Sequence, residues 1–290
     1  MDYGLTLTGG GARGAYHAGV YRALHEMKIP ISAAVGTSIG AVTAALISAG
    51  ENKNIRRIWN YLSLEVITGK KYPSFNCKTD YVKNLLDSII DENKIRKSKI
   101  HLGFVIMCPY GNKLEELFIE DIPCGKLTDY LTAAVCLPVF KAKIINGIKY
   151  IDGGILDNAP FGMLIKSGCK NIILSDDHGI GRERKISEHD IHLIRIRLKK
   201  PYGGILNFNR DIIRRTILQG YFDCLHEFGA VSGDIYAFEN SDYLHSIRLY
   251  GRERIKLLEK RALKLGINPM YKFSISALAE RVNLLERRLK

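Results

Sequence analysis

The sequence predicts an α/β protein: a mainly parallel central sheet covered by helices, followed by a helical C-terminal extension. Three observations carry that expectation. The first fifty residues alternate strand, helix, strand, helix. Glycine-bearing turns close the first two strands. Beyond residue 200 the apolar residues fall at helical spacing with basic residues between them.

Tyr3 to Thr8 reads as a strand, ended by the cluster Gly9 to Gly14. From Ala15 the spacing of Ala18, Tyr21, Ala23 and Leu24 predicts a helix, closed by Lys28-Ile29-Pro30. Ser32 to Val35 is a second strand and Ile39 to Ala49 a second helix, stopped by Gly50. Residues Ile29 to Gly50 form 22 positions without a charge, long enough to span a bilayer. Gly36, Thr37, Ser38, Gly40, Thr43 and Ser48 make that stretch a buried strand, turn and helix instead.

Helices are expected at Asn54 to Tyr61 and Thr79 to Ile90, and the basic run from Asn93, NKIRKSK, reads as a solvated loop. His101 to Cys108 and Leu114 to Ile119 read as strands and Leu127 to Val135 as a helix. Asn146-Gly147, between Lys143 to Ile145 and Lys149 to Ile151, marks a hairpin. A helix near Phe161 to Ser167 and strands at Asn171 to Ser175 and Ile191 to Arg197 continue the pattern. Composition shifts over Lys199 to Gly204, which sets a boundary between residues 5–200 and a basic extension, 201–290. Helices are expected there at Arg210 to Phe228, Arg252 to Leu265 and Ser274 to Leu289. Ile255, Leu258, Ala262 and Leu265 share one face, as do Ile275, Leu278, Val282, Leu285 and Leu289.

Composition narrows the partners. The 290 residues are 46% apolar and 25% charged, the balance of a folded globular chain, which excludes a disordered or fibrous protein. There are 43 Lys and Arg against 30 Asp and Glu, a net +13, an excess that suits nucleic acid, an anionic membrane or an acidic substrate. Arg248 to Lys290 holds 12 basic and four acidic residues, so +8 of the charge is concentrated at the C-terminus. No nucleic-acid motif or basic-aromatic alternation accompanies it, so no nucleic-acid partner is expected. Six cysteines without a CxxC pair, and without a metal-ligand rhythm among the eight histidines, predict reduced thiols and no metal. The N-terminus lacks a basic n-region and an apolar h-region, so the cytoplasm is the expected compartment, with peripheral membrane contact through 248–290.

Two glycine-bearing turns carry the chemistry. Gly9, Gly11 and Gly14 match G-x-G-x-x-G between a strand and a helix. A dinucleotide site would also need an acidic residue at the end of the second strand, which ends instead in Val35-Gly36-Thr37-Ser38. Gly36 to Gly40, GTSIG, places Ser38 between two glycines at a strand-to-helix turn, the setting of a nucleophile elbow. The helix dipole there, about half a positive charge, favours the negative charge that develops during attack. In a parallel sheet the turn after Thr8 lies beside it, and its successive glycines can aim N–H groups at one point, as an oxyanion hole requires. Arg13 adds positive charge nearby or forms a structural salt bridge. A serine nucleophile needs a base. His178, in DDHG, suits a Ser-His-Asp esterase, while Asp152 leaves a strand into Gly153 and Gly154, which leave room to approach its carboxylate.

Taken in order, Gly9 to Gly14, Gly36 to Gly40 and Asp152 to Gly154 resemble the three signatures of the patatin-like phospholipases, in their bacterial-type form: G-x-G-x-x-G, G-x-S-x-G and D-G-[GA]. Asn158-Ala159-Pro160 and the stretch Ala134 to Phe140 also look like that family's pattern, and the firm part of the resemblance covers residues 5–167. It implies a patatin-like α/β hydrolase with Ser38 as nucleophile and Asp152 as general base of a Ser-Asp dyad. It also implies oxyanion N–H groups from Gly10, Gly11 and Ala12, and no cofactor. The substrate implied is a phospholipid or related acyl-ester lipid, cleaved as a carboxylic ester through an acyl-enzyme. The competing class is a non-catalytic basic module that binds membrane or nucleic acid.

Overall fold

A computed structural model describes residues 2–51, 55, 58, 59, 79–137, 141–185 and 190–288. Its first strand, β1 (Tyr3–Leu7), runs into a 3-10 turn (Gly11–Gly14) and then α1 (Ala15–Glu26). β2 (Ile31–Gly36) pairs parallel with β1, and α2 (Ile39–Ser48) packs back against it. From Gly40 to Ser48 every residue of α2 is buried, which is why the sequence there carries no charge. Among the described residues no helix is long and apolar enough to cross a membrane. The helix expected at Asn54 to Tyr61 lies mostly outside the described residues, as do positions 138–140, His189 and Leu289.

After α3 (Asp80–Ile89), the run expected to be a loop holds a short helix, α4 (Glu92–Arg96). Asp91 caps it by accepting the Lys94 N–H at 3.1 Å, Ile95 is buried, and Arg96 donates to the carbonyls of Ile119 and Ile122. A cap and one buried side chain outweigh the density of charge. β3 (His101–Cys108) lies parallel to β2, and β4 (Lys113–Phe118) returns antiparallel along β3. Past α5 (Leu127–Ala134), the hairpin of β5 (Lys143–Ile145) and β6 (Ile148–Asp152) turns on Asn146 and Gly147, both at positive φ (50° and 79°) as a type I′ turn needs. α6 (Phe161–Lys166) leads to β7 (Asn171–Asp176), which pairs parallel with β1, and β8 (His192–Arg197) pairs parallel with β7.

The sheet order is β5-β6-β3-β2-β1-β7-β8, with β4 also on β3. From β1 the chain builds towards β2 and β3 on one side and later β7 and β8 on the other. The C-terminal ends of β1, β2 and β7 therefore meet where an open α/β sheet forms its crevice. Val35, Val105, Phe161, Leu164, Ile172 and Leu174 pack together as a buried apolar cluster in this unit.

The chain forms two compact units, residues 1–221 and 222–290, so α7 (Arg210–Glu227) spans the division. This lies some way beyond residue 200, where the sequence shifts in composition, because the intervening residues bond to the first unit. The Ile205 carbonyl accepts the Ala12 N–H at 2.7 Å, and the Tyr221 hydroxyl donates to Glu26 at 2.6 Å. The second unit holds β9 (Ala237–Phe238), α8 (Asn240–Tyr250), α9 (Arg252–Lys264), β10 (Lys272–Phe273) and α10 (Ile275–Arg288). Its core gathers Tyr236, Phe238 and the two faces read from the sequence, with Ile255, Ala262, Leu278 and Val282 fully covered. Glu259, also buried, accepts the N–H groups of Asp234, Ile235 and Tyr236 and so ties the segment before β9 to α9.

Candidate active site

The turn from β2 into α2 puts Ser38 at φ 55°, ψ −127°, a conformation that L-residues rarely adopt and that costs on the order of 1–3 kcal/mol. The strain is held from both sides. Thr37 donates its N–H to the Leu7 carbonyl (3.1 Å) and its hydroxyl to the Asp157 carbonyl (3.0 Å). The Gly40 N–H bonds the Thr37 carbonyl at 2.8 Å, and the Ser38 hydroxyl makes no capping bond to α2. Gly36 closes β2 beside Leu7. Ser38 is left at the head of a helix, 8% exposed, with its hydroxyl available for chemistry.

Asp152 arrives from the far end of the chain's fold. As the last residue of β6 it lies opposite Ile106 of β3, and its N–H bonds the Cys136 carbonyl at 2.9 Å. Its carboxylate is buried, accepts the Gly154 N–H at 2.8 Å, and lies near enough to the Ser38 hydroxyl for that group to favour its ionised form. Burial raises its pKa from the usual carboxylate value to about 6, against the two donors, which favour the ionised form. The same burial, with the Asp152 charge adding to it, pushes the neighbouring Cys136 thiol up to about 11. Gly153 and Gly154 open the 3-10 turn Gly153–Ile155, which turns the chain away from the carboxylate.

The glycine turn after β1 lies against the serine. A Cβ placed on Gly9 would fall 2.8 Å from Ser38 Cβ, an approach that only glycine permits. Asn158 grips Gly9 at both ends: its Oδ1 accepts the Gly9 N–H (3.1 Å) and its Nδ2 donates to the Gly9 carbonyl (3.0 Å). The N–H of Ala12, expected among the oxyanion donors, is taken by Ile205, so it is not available to a ligand. Arg13 returns its own N–H to the Gly10 carbonyl at 3.2 Å. Among the described residues the N–H groups of Gly10 and Gly11 have no acceptor within the protein. Gly14 passes the chain into α1. Arg13 forms no salt bridge among the described residues; its side chain donates to the carbonyls of Gly203 (2.9 Å) and His178 (2.6 Å) and pins two loops beside the glycine turn.

The histidines fall elsewhere. His178 is exposed, on a backbone at φ 57°, and among the described residues no histidine is bonded to Ser38 or Asp152. His17 is wholly buried beneath the glycine turn, with Nε2 2.9 Å from the Thr8 carbonyl and Nδ1 2.7 Å from the Ser175 hydroxyl. Desolvation lowers its pKa to about 4. Sequence reading had no assignment for His17 or Asp177 and took Asn158 only as part of a pattern. The one available signal is a histidine among the apolar residues Ala15 to Tyr21 that open α1.

The patatin-like phospholipase profile matches residues 5–165. Human patatin-like phospholipase domain-containing protein 6 is 28% identical over 186 residues, 59% of this chain and 13% of that protein. Lysophospholipase NTE1 of Kluyveromyces lactis is 27% identical over 189 residues, 60% of this chain and 12% of that protein. The chain thus spans about an eighth of the length of these curated relatives. Among solved structures, VipD from Legionella pneumophila superposes with a TM-score of 0.56 at 14% identity, covering 98% of this chain and 75% of that one, a likeness of fold.

Proposed function

The chain belongs to the patatin-like phospholipase family, and from that premise we propose that it is a serine lipid acyl hydrolase working through a Ser38–Asp152 dyad. The observation that carries the reading is the strained serine set near a buried carboxylate, which its hydroxyl favours in the ionised form, beside two N–H groups without acceptors among the described residues. Asp152 accepts the Ser38 proton as Oγ attacks the ester carbonyl. The negative charge then reaching the carbonyl oxygen is met by the Gly10 and Gly11 N–H groups, each worth roughly 2.7–4 kcal/mol in such a role. Collapse expels the alcohol, which takes the proton from Asp152 and leaves an acyl-serine. Asp152 then takes a proton from water, whose oxygen attacks the acyl group, and gives that proton to the departing Ser38 Oγ, which releases the fatty acid and free Ser38.

Two of the observations above argue for a dyad over a triad: Asp152 lies near enough to Ser38 for the hydroxyl to favour its ionised form, and His178 is exposed. His178→Ala is therefore expected to keep kcat/KM within about threefold of wild type, as an exposed surface substitution does. A loss by orders of magnitude in a folded variant returns the reading to Ser-His-Asp.

The substrate class proposed is an acyl ester of a phospholipid, with lysophospholipids first, since relatives carry that activity in their names. The assay is fatty acid release from lysophospholipids, diacyl phospholipids and neutral glycerides, compared with Ser38→Ala. Such lipids lie at interfaces. The basic segment 248–290 would meet a cytoplasmic anionic one, each basic residue contributing about 1 kcal/mol at most near the surface and less as salt rises. Co-sedimentation of the full chain with phosphatidylserine-containing vesicles is expected to weaken with added salt, and to be unmeasurable with pure phosphatidylcholine. Equal binding to both rules out the electrostatic contribution.

A further inference from the structure

Behind the glycine turn lies a second carboxyl group that the proposed chemistry does not use. Asp177 follows β7 directly and is wholly buried. Its N–H donates to Thr8 Oγ1 at 3.0 Å, and the Thr8 hydroxyl donates back to Asp177 Oδ1 at 2.8 Å, so the end of β1 and the end of β7 are clasped together. The other oxygen, Oδ2, has no hydrogen-bond partner although no solvent reaches it. It faces the glycine turn: a Cβ added to Gly10 would lie 2.1 Å from it, so even alanine there collides with the carboxyl. Gly10 is thus glycine because Asp177 occupies the space, and Asp177 backs the residue whose N–H faces the reacting oxygen in the proposed mechanism.

We propose that Asp177 is a positioning residue for the oxyanion-binding turn and that it performs this role as the neutral acid. The proposal rests on the acyl-hydrolase reading above. A carboxylate at this point would set a negative charge immediately behind the N–H groups that receive the oxyanion, with one oxygen unsolvated and unpaired. Among the described residues no permanently charged cation is bonded to the carboxyl. His17 Nε2 is 3.6 Å from Oδ2, but the Thr8 carbonyl beside it can only accept, so Nε2 carries a proton; burial keeps the ring neutral, which leaves Nδ1 to accept the hydrogen bond of the Ser175 hydroxyl. Asp176, the neighbouring acid, is paired with Arg197 at 2.7 Å and Arg195 at 3.3 Å and disfavours a second negative charge. Arg13 is the charged group on the other side; its charge favours ionisation, but its side-chain bonds among the described residues go from Nε and Nη1 to the Gly203 and His178 carbonyls and none reaches Asp177. Burial dominates this set and raises the Asp177 pKa to about 7, with Thr8 and the Gly179 N–H acting in the opposite direction.

The test is the pH–rate profile of p-nitrophenyl butyrate hydrolysis by the full chain, with Ser38→Ala as the blank. In wild type, kcat/KM is expected to fall roughly tenfold or more as pH rises through about 7 and Asp177 ionises. Asp177→Asn, which keeps the shape of the neutral acid, should match wild type within a few-fold at pH 6 and lose that alkaline limb while retaining the acid limb. Thr8→Val, which removes a donor to the carboxylate, should move the alkaline limb to higher pH. An unchanged limb in Asp177→Asn, or an unshifted one in Thr8→Val, overturns the proposal. Thermal unfolding of the same variants gives a readout independent of catalysis. A carboxyl whose folded pKa is raised contributes its full stability below the unfolded value and loses it as pH rises through the folded value. The Tm of Asp177→Asn should therefore gain on wild type between pH 4 and 7, and a constant difference overturns the proposal. Absence of any Ser38-dependent hydrolysis defeats the acyl-hydrolase reading instead, and the Tm comparison still decides whether Asp177 is held neutral.

Discussion

Ser38→Ala is expected to lower kcat/KM for fatty acid release by about ten-thousandfold or more while leaving the fold intact. The size follows from the loss of the attacking oxygen: the N–H groups and the binding surface remain, but no covalent path does. The fold should survive because the Ser38 hydroxyl makes no capping bond, while Thr37 and Gly40 anchor the turn through their own bonds. Alanine in the same turn carries the same backbone strain, so the Tm should stay close to that of wild type. Substantial hydrolysis by a folded Ser38→Ala chain would place the nucleophile elsewhere.

Asp152→Asn is expected to be nearly as damaging to activity, and at neutral pH to stabilise the protein. The amide cannot accept the serine proton, so kcat/KM should fall by at least about a thousandfold. In the wild type the same logic predicts an acid limb: the base works only when ionised, so kcat/KM should fall tenfold per pH unit below about 6. Stability runs the other way. The folded pKa of Asp152 lies above the unfolded value, so its contribution is complete below about pH 4 and is lost as pH rises through about 6. Removing the charge should relieve up to about 3 kcal/mol at pH 7, less whatever the Gly154 bond and the nearby Ser38 hydroxyl are worth. Chemical denaturation at pH 4 and pH 7 measures this. A variant that is inactive and also less stable at pH 7 would show that Asp152 is retained for structure.

Much of this site could be read from residue types because its constraints are local. A serine between glycines at the end of a strand, and an aspartate followed by two glycines, state their geometry within five residues. The parallel sheet was legible for a similar reason, since α2 is apolar on every face and can only be interior. What could not be read depends on partners distant in the chain. That Gly10 and Gly11 keep free N–H groups while Ala12 does not is decided by the Ile205 carbonyl. That Asn158 holds Gly9, and that Asp177 clasps Thr8, follows only once β1 and β7 are neighbours. In the second unit α8 is not legible because its polar and apolar residues mix without a clean face, and in the first unit α4 is not because its charges hide one buried isoleucine.

The bond from Ala12 to Ile205 has a further consequence, which concerns order in time. Ser38 is made well before Ile205, so the glycine turn beside it is not tied until Ile205 has left the ribosome. The partner strand β7 and the clasp on Thr8 are also late. A nascent or truncated chain holding all three glycine signatures would therefore carry a nucleophile without an assembled oxyanion site. On the proposed mechanism such a chain would not hydrolyse ester lipids before it has finished folding.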